Sequence, residues 1–147
     1  KCAAALDRVA ARDVYDLAQR QTRIDLTAPA LRAAWIGLSA ILPLPLYTYE
    51  KTRFDRIDQQ EMETELQPFL RGTGKVDLQH IQSQASSLLL WLLSLNEKER
   101  LYMKGISEGR IEPELFLPDN AAFCDTLRKH PALLWKIHNV QAHLKKR

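Results

Sequence analysis

Glycine is scarce in this sequence, with 5 residues in 147, and no stretch alternates apolar and polar residues in the manner of a half-buried strand. Both shortages argue against a sheet and for helices. The longest apolar run, Leu88 to Leu93, is six residues long, far short of a membrane span. Two cysteines, Cys2 and Cys124, are too few for a disulfide framework and fit a reducing, cytoplasmic setting. No cluster of ligands at zinc spacing stands out. His130, His138 and His143 come nearest, and they read as surface residues of a basic helix, so no metal site is expected. Acid is missing from the C-terminal end. Six of the 21 Lys/Arg lie from Arg128 to Arg147 while all 18 acids lie at or before Asp125, so the preceding chain carries a balance of −3 within a total of +3. Such a segment is either a phosphate-contacting stripe or a solvated helix end whose cations suit the macrodipole. Periodic apolar sequence begins within three residues of Lys1, with no charged-then-apolar leader, so the chain reads as a piece of something longer.

Apolar residues make up 46% of the chain, enough for a core, and they recur at helical steps. A first helix is expected from Lys1 to about Gln21, with Cys2, Leu6, Ala10, Val14 and Leu17 on one face. Thr27-Ala28-Pro29 starts a second, whose face is Leu31, Ala34, Trp35, Leu38, Ile41 and Leu42 and which Pro43 and Pro45 end. Phe54, Ile57, Met62, Leu66, Phe69 and Leu70 suggest a long, loosely amphipathic helix. Arg71-Gly72-Thr73-Gly74-Lys75 breaks it, and is too short for a phosphate loop. Asp77 caps a helix carrying Leu78, Ile81, Ala85, Leu88, Leu92 and Leu95, with Trp91 in the core. Asn96 to Glu99 reads as a capping box, and Gly109 stops the helix it opens. A short helix over 121–129 precedes His130-Pro131, and Pro131 opens a last one with Leu133, Leu134, Ile137, Val140 and Leu144 turned inward. Trp135, on that helix, is expected to pack rather than stack on a base, while Tyr47 and Tyr49 are free to meet a partner. The expected fold is therefore all-α, an irregular bundle of about six or seven helices in one domain over 1–147.

Two segments carry a resemblance. Lys1-Cys2-Ala3-Ala4 fits the pattern Lys, apolar, any, Ala. Arg12-Asp13-Val14-Tyr15-Asp16-Leu17 fits basic, Asp, two residues, Asp, apolar. Near the other end stand Ile111-Glu112-Pro113-Glu114-Leu115-Phe116-Leu117-Pro118-Asp119 and His130-Pro131-Ala132-Leu133-Leu134-Trp135-Lys136. In this order they resemble the last two signature motifs and the closing stretch of the AbiEii/AbiGii-type toxin nucleotidyltransferases. That family's first two motifs, a Gly-rich/Ser turn and an Asp-x-Asp-like metal site, have no counterpart, because the chain has no Gly-Ser or Gly-Gly dipeptide and no Asp-x-Asp.

The resemblance implies the helical C-terminal part of an enzyme of toxin–antitoxin systems and phage defence by abortive infection. The full-length protein would use Mg²⁺ to transfer a nucleotide from an NTP to an acceptor such as tRNA, with a cognate antitoxin as possible partner and no membrane. Neither Mg²⁺ nor NTP is expected on this part alone, which should be inactive. Asp13 and Lys1 would be catalytic, the lysine as a point charge on phosphate and the carboxylate assisting the attacking hydroxyl. Arg12 and Asp16 would bind nucleotide or acceptor.

The residues themselves give a parallel reading. On a continuous helix Asp13 falls at about 220°, between Cys2 at about 200° and Leu6 at about 240°. It would lie inside the apolar arc, where a lone carboxylate is costly and needs a partner or a task. A structural ion pair with Arg8 or Arg12 would serve equally, and Arg12 and Asp16 are spaced for a surface pair. The alternative to an enzyme part is a non-catalytic helical module that binds an antitoxin or RNA.

Overall fold

Helix boundaries follow local chemistry where that chemistry is strong. The computed structural model describes residues 1–21, 25–70 and 77–146, and among these there is no strand. Among the described residues there are eight α-helices: α1 (Cys2–Arg8), α2 (Ala11–Gln21), α3 (Pro29–Ser39), α4 (Gln59–Glu61), α5 (Leu78–Leu93), α6 (Glu97–Ser107), α7 (Ala121–Arg128) and α8 (Pro131–Leu144). The expected starts hold. Pro29 and Pro131 occupy first turns, where their missing N–H costs nothing. Asp77 accepts from His80 N–H at 3.0 Å. Asn96 and Glu99 form the full reciprocal box, and Gly109, at φ 83°, follows the end of α6. The expected break at 71–75 lies outside the described residues.

The chain divides into two compact units, Lys1–Asp25 with Tyr49–Ser94 and Leu26–Thr48 with Leu95–Arg147. In the first, α2 packs along α5. Ala11, Val14, Leu17 and Ala18 form the buried face of α2, and Ile81, Ala85, Leu88, Leu89 and Leu92 that of α5. The segment 46–70 is not the expected long helix. It is a series of single turns: 3₁₀ at Leu46–Thr48 and Arg53–Arg56, α4, a π turn at Met62–Leu66 and 3₁₀ at Gln67–Phe69. Asp58 is extended (φ −101°, ψ 172°) and accepts from Glu61 N–H, which restarts the helix there. Pro68, without an N–H, cannot continue it. Phe54, Ile57, Met62 and Leu66 are still buried, as their apolar character requires, but Phe69 is exposed. Trp91 is only half-buried, against expectation, because it lies off the stripe that α5 turns inward.

Within this unit Arg53 closes the end of α1. Its guanidinium donates to the carbonyls of Leu6 and Asp7 and lies 5.1 Å from the ring of Tyr49, which is buried rather than free. These carbonyls are among the four that a helix end leaves without partners. Arg53→Ala should lower unfolding free energy by about 1.5–3 kcal/mol, the range for hydrogen bonds from a charged donor. Arg53→Lys should recover less than half, since an ammonium lacks the fork. Urea unfolding of the three proteins checks this, and equal stability of all three would show the contact to be idle.

In the second unit α3 ends at Ser39, four residues before Pro43, and its buried face is Ala33, Ile36 and Gly37. The expected face of Leu31, Ala34, Trp35 and Leu38 is turned partly outward, with Ile41 and Leu42 beyond the helix. Small residues decide this. A Cβ on Gly37 would lie 2.7 Å from a methyl of Leu127, so any larger residue would make the buried Leu127 side chain shift. The Tyr102 hydroxyl donates to the Gly37 carbonyl at 3.2 Å, and its ring lies 4.8 Å from that of Phe116. Burial pushes the Tyr102 pKa well above its usual value, so the phenol stays a donor at any ordinary pH. On α8 only Leu133 is buried. Of the rest of the expected inward stripe, Ile137 and Val140 are half-buried while Leu134 and Leu144 are exposed, and Trp135, expected to pack, is exposed as well. Periodicity marks an apolar face but not whether anything covers it.

Candidate functional site

The motif residues gather where α1 meets α2. The two helices are not continuous, as the wheel reading required, because Val9 adopts φ 55°, ψ 45°. A β-branched residue in the left-handed region is strained by about 1–2 kcal/mol. The turn it makes brings the last residue of α1 back to the first turn of α2. Arg8 Nη2 donates to Asp13 Oδ2 at 2.8 Å, and Lys1 Nζ pairs with Asp16 Oδ2. Asp13 is buried, with 10% of its side chain exposed against 64% for Arg8. It is thus the awkward carboxylate that the sequence suggests, though it is buried by this turn and not by one long amphipathic face.

Asp13 and Asp16 therefore each face a cation, with different partners. The Arg12–Asp16 surface pair does not form. Arg12 instead sets its guanidinium 4.5 Å from the centroid of Phe69. Arg8, Arg12, Asp13, Glu65 and Phe69 line an open cleft of about 430 Å³. Sequence reading did not single out Phe69 or Glu65 for this place. Their only signal was an aromatic just before the Gly-rich break, which reads equally as a core position.

Two arginines and two carboxylates line the cleft, and one of the arginines is paired with one of the carboxylates. Arg8 is mostly in water, and Arg12 lies over an aromatic ring. The same residues do not fit Mg²⁺. Asp13 and Asp16 are each neutralised by a cation, and among the described residues no three His, Cys, Asp or Glu are placed to hold a metal ion. A thiol nucleophile is equally ill served: burial pushes both Cys2 and Cys124 upward in pKa, and Cys124 Sγ donates to the Leu117 carbonyl at 3.3 Å.

Two of the six cations of the basic C-terminal segment are engaged internally. Arg128 pairs with Glu114 and Asp125. Lys136 Nζ donates to the carbonyls of Leu42 at 2.8 Å and Pro43 at 3.1 Å, and partial burial lowers its pKa. Lys129, Lys145 and Lys146 remain exposed, and Arg147 lies outside the described residues. None of the described helices is long and apolar enough to cross a membrane. Comparison with family models, with curated proteins and with solved structures gives no match to this chain.

Proposed function

We propose that this chain is the helical C-terminal part of an AbiEii/AbiGii-type nucleotidyltransferase, and that the cleft between α1 and α2 receives a phosphate of the NTP or of an acceptor RNA such as tRNA. The observation that carries the reading is the ion pair of Lys1 with Asp16, which joins the two N-terminal motif segments, with Arg8 paired to Asp13 beside Arg12. Each element has a role. Arg8 and Arg12 offer fork-shaped donors to phosphate oxygens, Lys1 a point charge, and Asp13 a carboxylate that holds Arg8 in place and can accept a hydroxyl proton. Mg²⁺ would supply charge neutralisation on the triphosphate, held by the Gly-Ser and Asp-x-Asp motifs that this sequence does not contain.

The expected result for the chain by itself is binding without turnover. Incubation with labelled NTPs, Mg²⁺ and total tRNA should give no labelled product above a blank. Tripolyphosphate or tRNA should bind measurably, more weakly as salt rises, and Arg12→Ala should weaken it by about tenfold, as for one lost charged hydrogen bond. Robust labelling would mean that a metal site exists elsewhere in the chain. Binding untouched by Arg8→Ala and Arg12→Ala would sink the cleft assignment. A non-catalytic interaction module is the second reading, favoured by the exposed apolar face of α8.

A further inference from the structure

The second unit holds an apolar groove along one side of α8, with about 650 Å³ of open space. One wall is the turn after α3, with Ile41 and Pro45. Another is the end of α6, with Ile106. The third is α8, with Trp135, Val140 and Leu144. Trp135 is 68% exposed, an unusual position for the largest apolar side chain. Exposed apolar surface of this kind, rimmed by polar groups, marks a place where another molecule sits. The groove is also held in shape. Lys136 crosses it to the carbonyls of Leu42 and Pro43, which ties α8 to the turn after α3.

Charge selects the occupant. Among the described residues no carboxylate lines the groove, whereas Lys136 and His143 do. Lys145 and Lys146 follow directly at the end of α8, and no acid stands anywhere from Arg128 onward. The run Trp135 to Leu144 is about 14 Å long at 1.5 Å per residue, the length of two to three helical turns. We propose that this groove takes an amphipathic helix of a partner protein, two to three turns long, whose apolar residues fill the groove and whose acidic residues face the Lys145 end. The site lies in the other unit from the phosphate cleft, so this proposal stands or falls independently of the nucleotide reading.

Other occupants fit less well. The chain's own acidic segment, Asp55 to Glu65, cannot be lent by a second copy, because its apolar residues Ile57 and Met62 are themselves buried. Nucleic acid would gain little from an apolar floor, and Lys136 in the lining is engaged with the carbonyls of Leu42 and Pro43. A concave surface also presents poorly to a flat bilayer.

A display library of random peptides about 16 residues long, roughly 24 Å as helix, should be selected on the whole chain. Enriched peptides should show apolar residues at i, i+3 or i+4 and i+7, with Glu or Asp between them. By fluorescence anisotropy, a labelled winner should lose at least about tenfold in affinity to Trp135→Ala, in line with an aromatic anchor. Lys145→Glu with Lys146→Glu should weaken it several-fold. Both variants alter exposed side chains, and an unchanged circular dichroism spectrum confirms their folding. Enrichment of basic or unpatterned peptides, failure to enrich any, or a winner indifferent to Trp135→Ala would overturn the proposal. So would saturable binding of tRNA or phosphatidylserine vesicles that Trp135→Ala abolishes while no peptide competes.

Discussion

Glu99→Ala should lower the unfolding free energy by about 3–5 kcal/mol, the range for breaking a buried ion pair by removing one member. Glu99 serves two structures at once. At the third position of α6 its Oε2 accepts from Asn96 N–H at 2.9 Å, while Asn96 Oδ1 accepts from Glu99 N–H at 2.9 Å. The same carboxylate receives two parallel bonds from Arg32 of α3, Nε to Oε1 at 2.8 Å and Nη2 to Oε2 at 2.6 Å. With 6% of its side chain exposed, and Arg32 at 22%, neither charge has enough water to fall back on. Arg32→Met should therefore cost a similar amount. Glu99→Gln keeps an acceptor for Asn96 and one for Arg32 and should cost less, about 1–3 kcal/mol. Pairing Arg32→Met with Glu99→Leu should recover much of the loss, because the desolvation penalty goes with the charges. Urea unfolding of the wild type, Arg32→Met, Glu99→Leu and their double variant as a double-mutant cycle gives the coupling directly. Single losses under about 1 kcal/mol with no coupling would show that water reaches the pair.

The Glu99 pair also shows where sequence reading stops. The capping box was legible, since a box needs only Asn96 and an acid three residues on. The partner was not, since Arg32 is 67 positions away and nothing local points from one to the other. The same division runs through the fold. Proline at first turns, Asp77 as a cap and Gly109 after a helix are set by backbone chemistry within one turn, and all are found. Val9 is the opposite case. Its own preference opposes positive φ, so the break between α1 and α2 is imposed by the contacts that follow from it, including Arg8 with Asp13. The apolar spacing of 54–70 told correctly that Phe54, Ile57, Met62 and Leu66 are core, yet mistook turns of several kinds for one helix. On α8 the spacing was real and the burial only partial, because covering that face takes a surface that no periodicity describes. In the candidate site, the buried and paired state of Asp13 was legible, as one of the alternatives the residues left open. The ring of Phe69 under Arg12 was not.

On the proposed function, Asp13→Asn should lower nucleotide transfer by roughly 10²–10⁴-fold, the range for loss of an acid–base group, while leaving the fold nearly unchanged. The measurement belongs in a protein that joins this chain to a metal-binding half. Asparagine has the shape of the aspartate and keeps an oxygen to accept from Arg8, so the turn at Val9 need not open. The lost charge forfeits a favourable position in the first turn of α2, worth about 0.3–1 kcal/mol. It also removes the penalty of holding a carboxylate out of water, which acts in the opposite direction. Arg8 is mostly solvated and tolerates the loss of its partner's charge. Net stability should thus move by no more than about 1 kcal/mol. Arg8→Ala supplies the contrast: it leaves the buried carboxylate without its cation and should destabilise by more than Asp13→Asn does. Melting temperature and turnover should be read on the same preparations. A large fall in melting temperature for Asp13→Asn, with turnover per folded molecule intact, would make Asp13 a structural partner of Arg8 and remove it from the site.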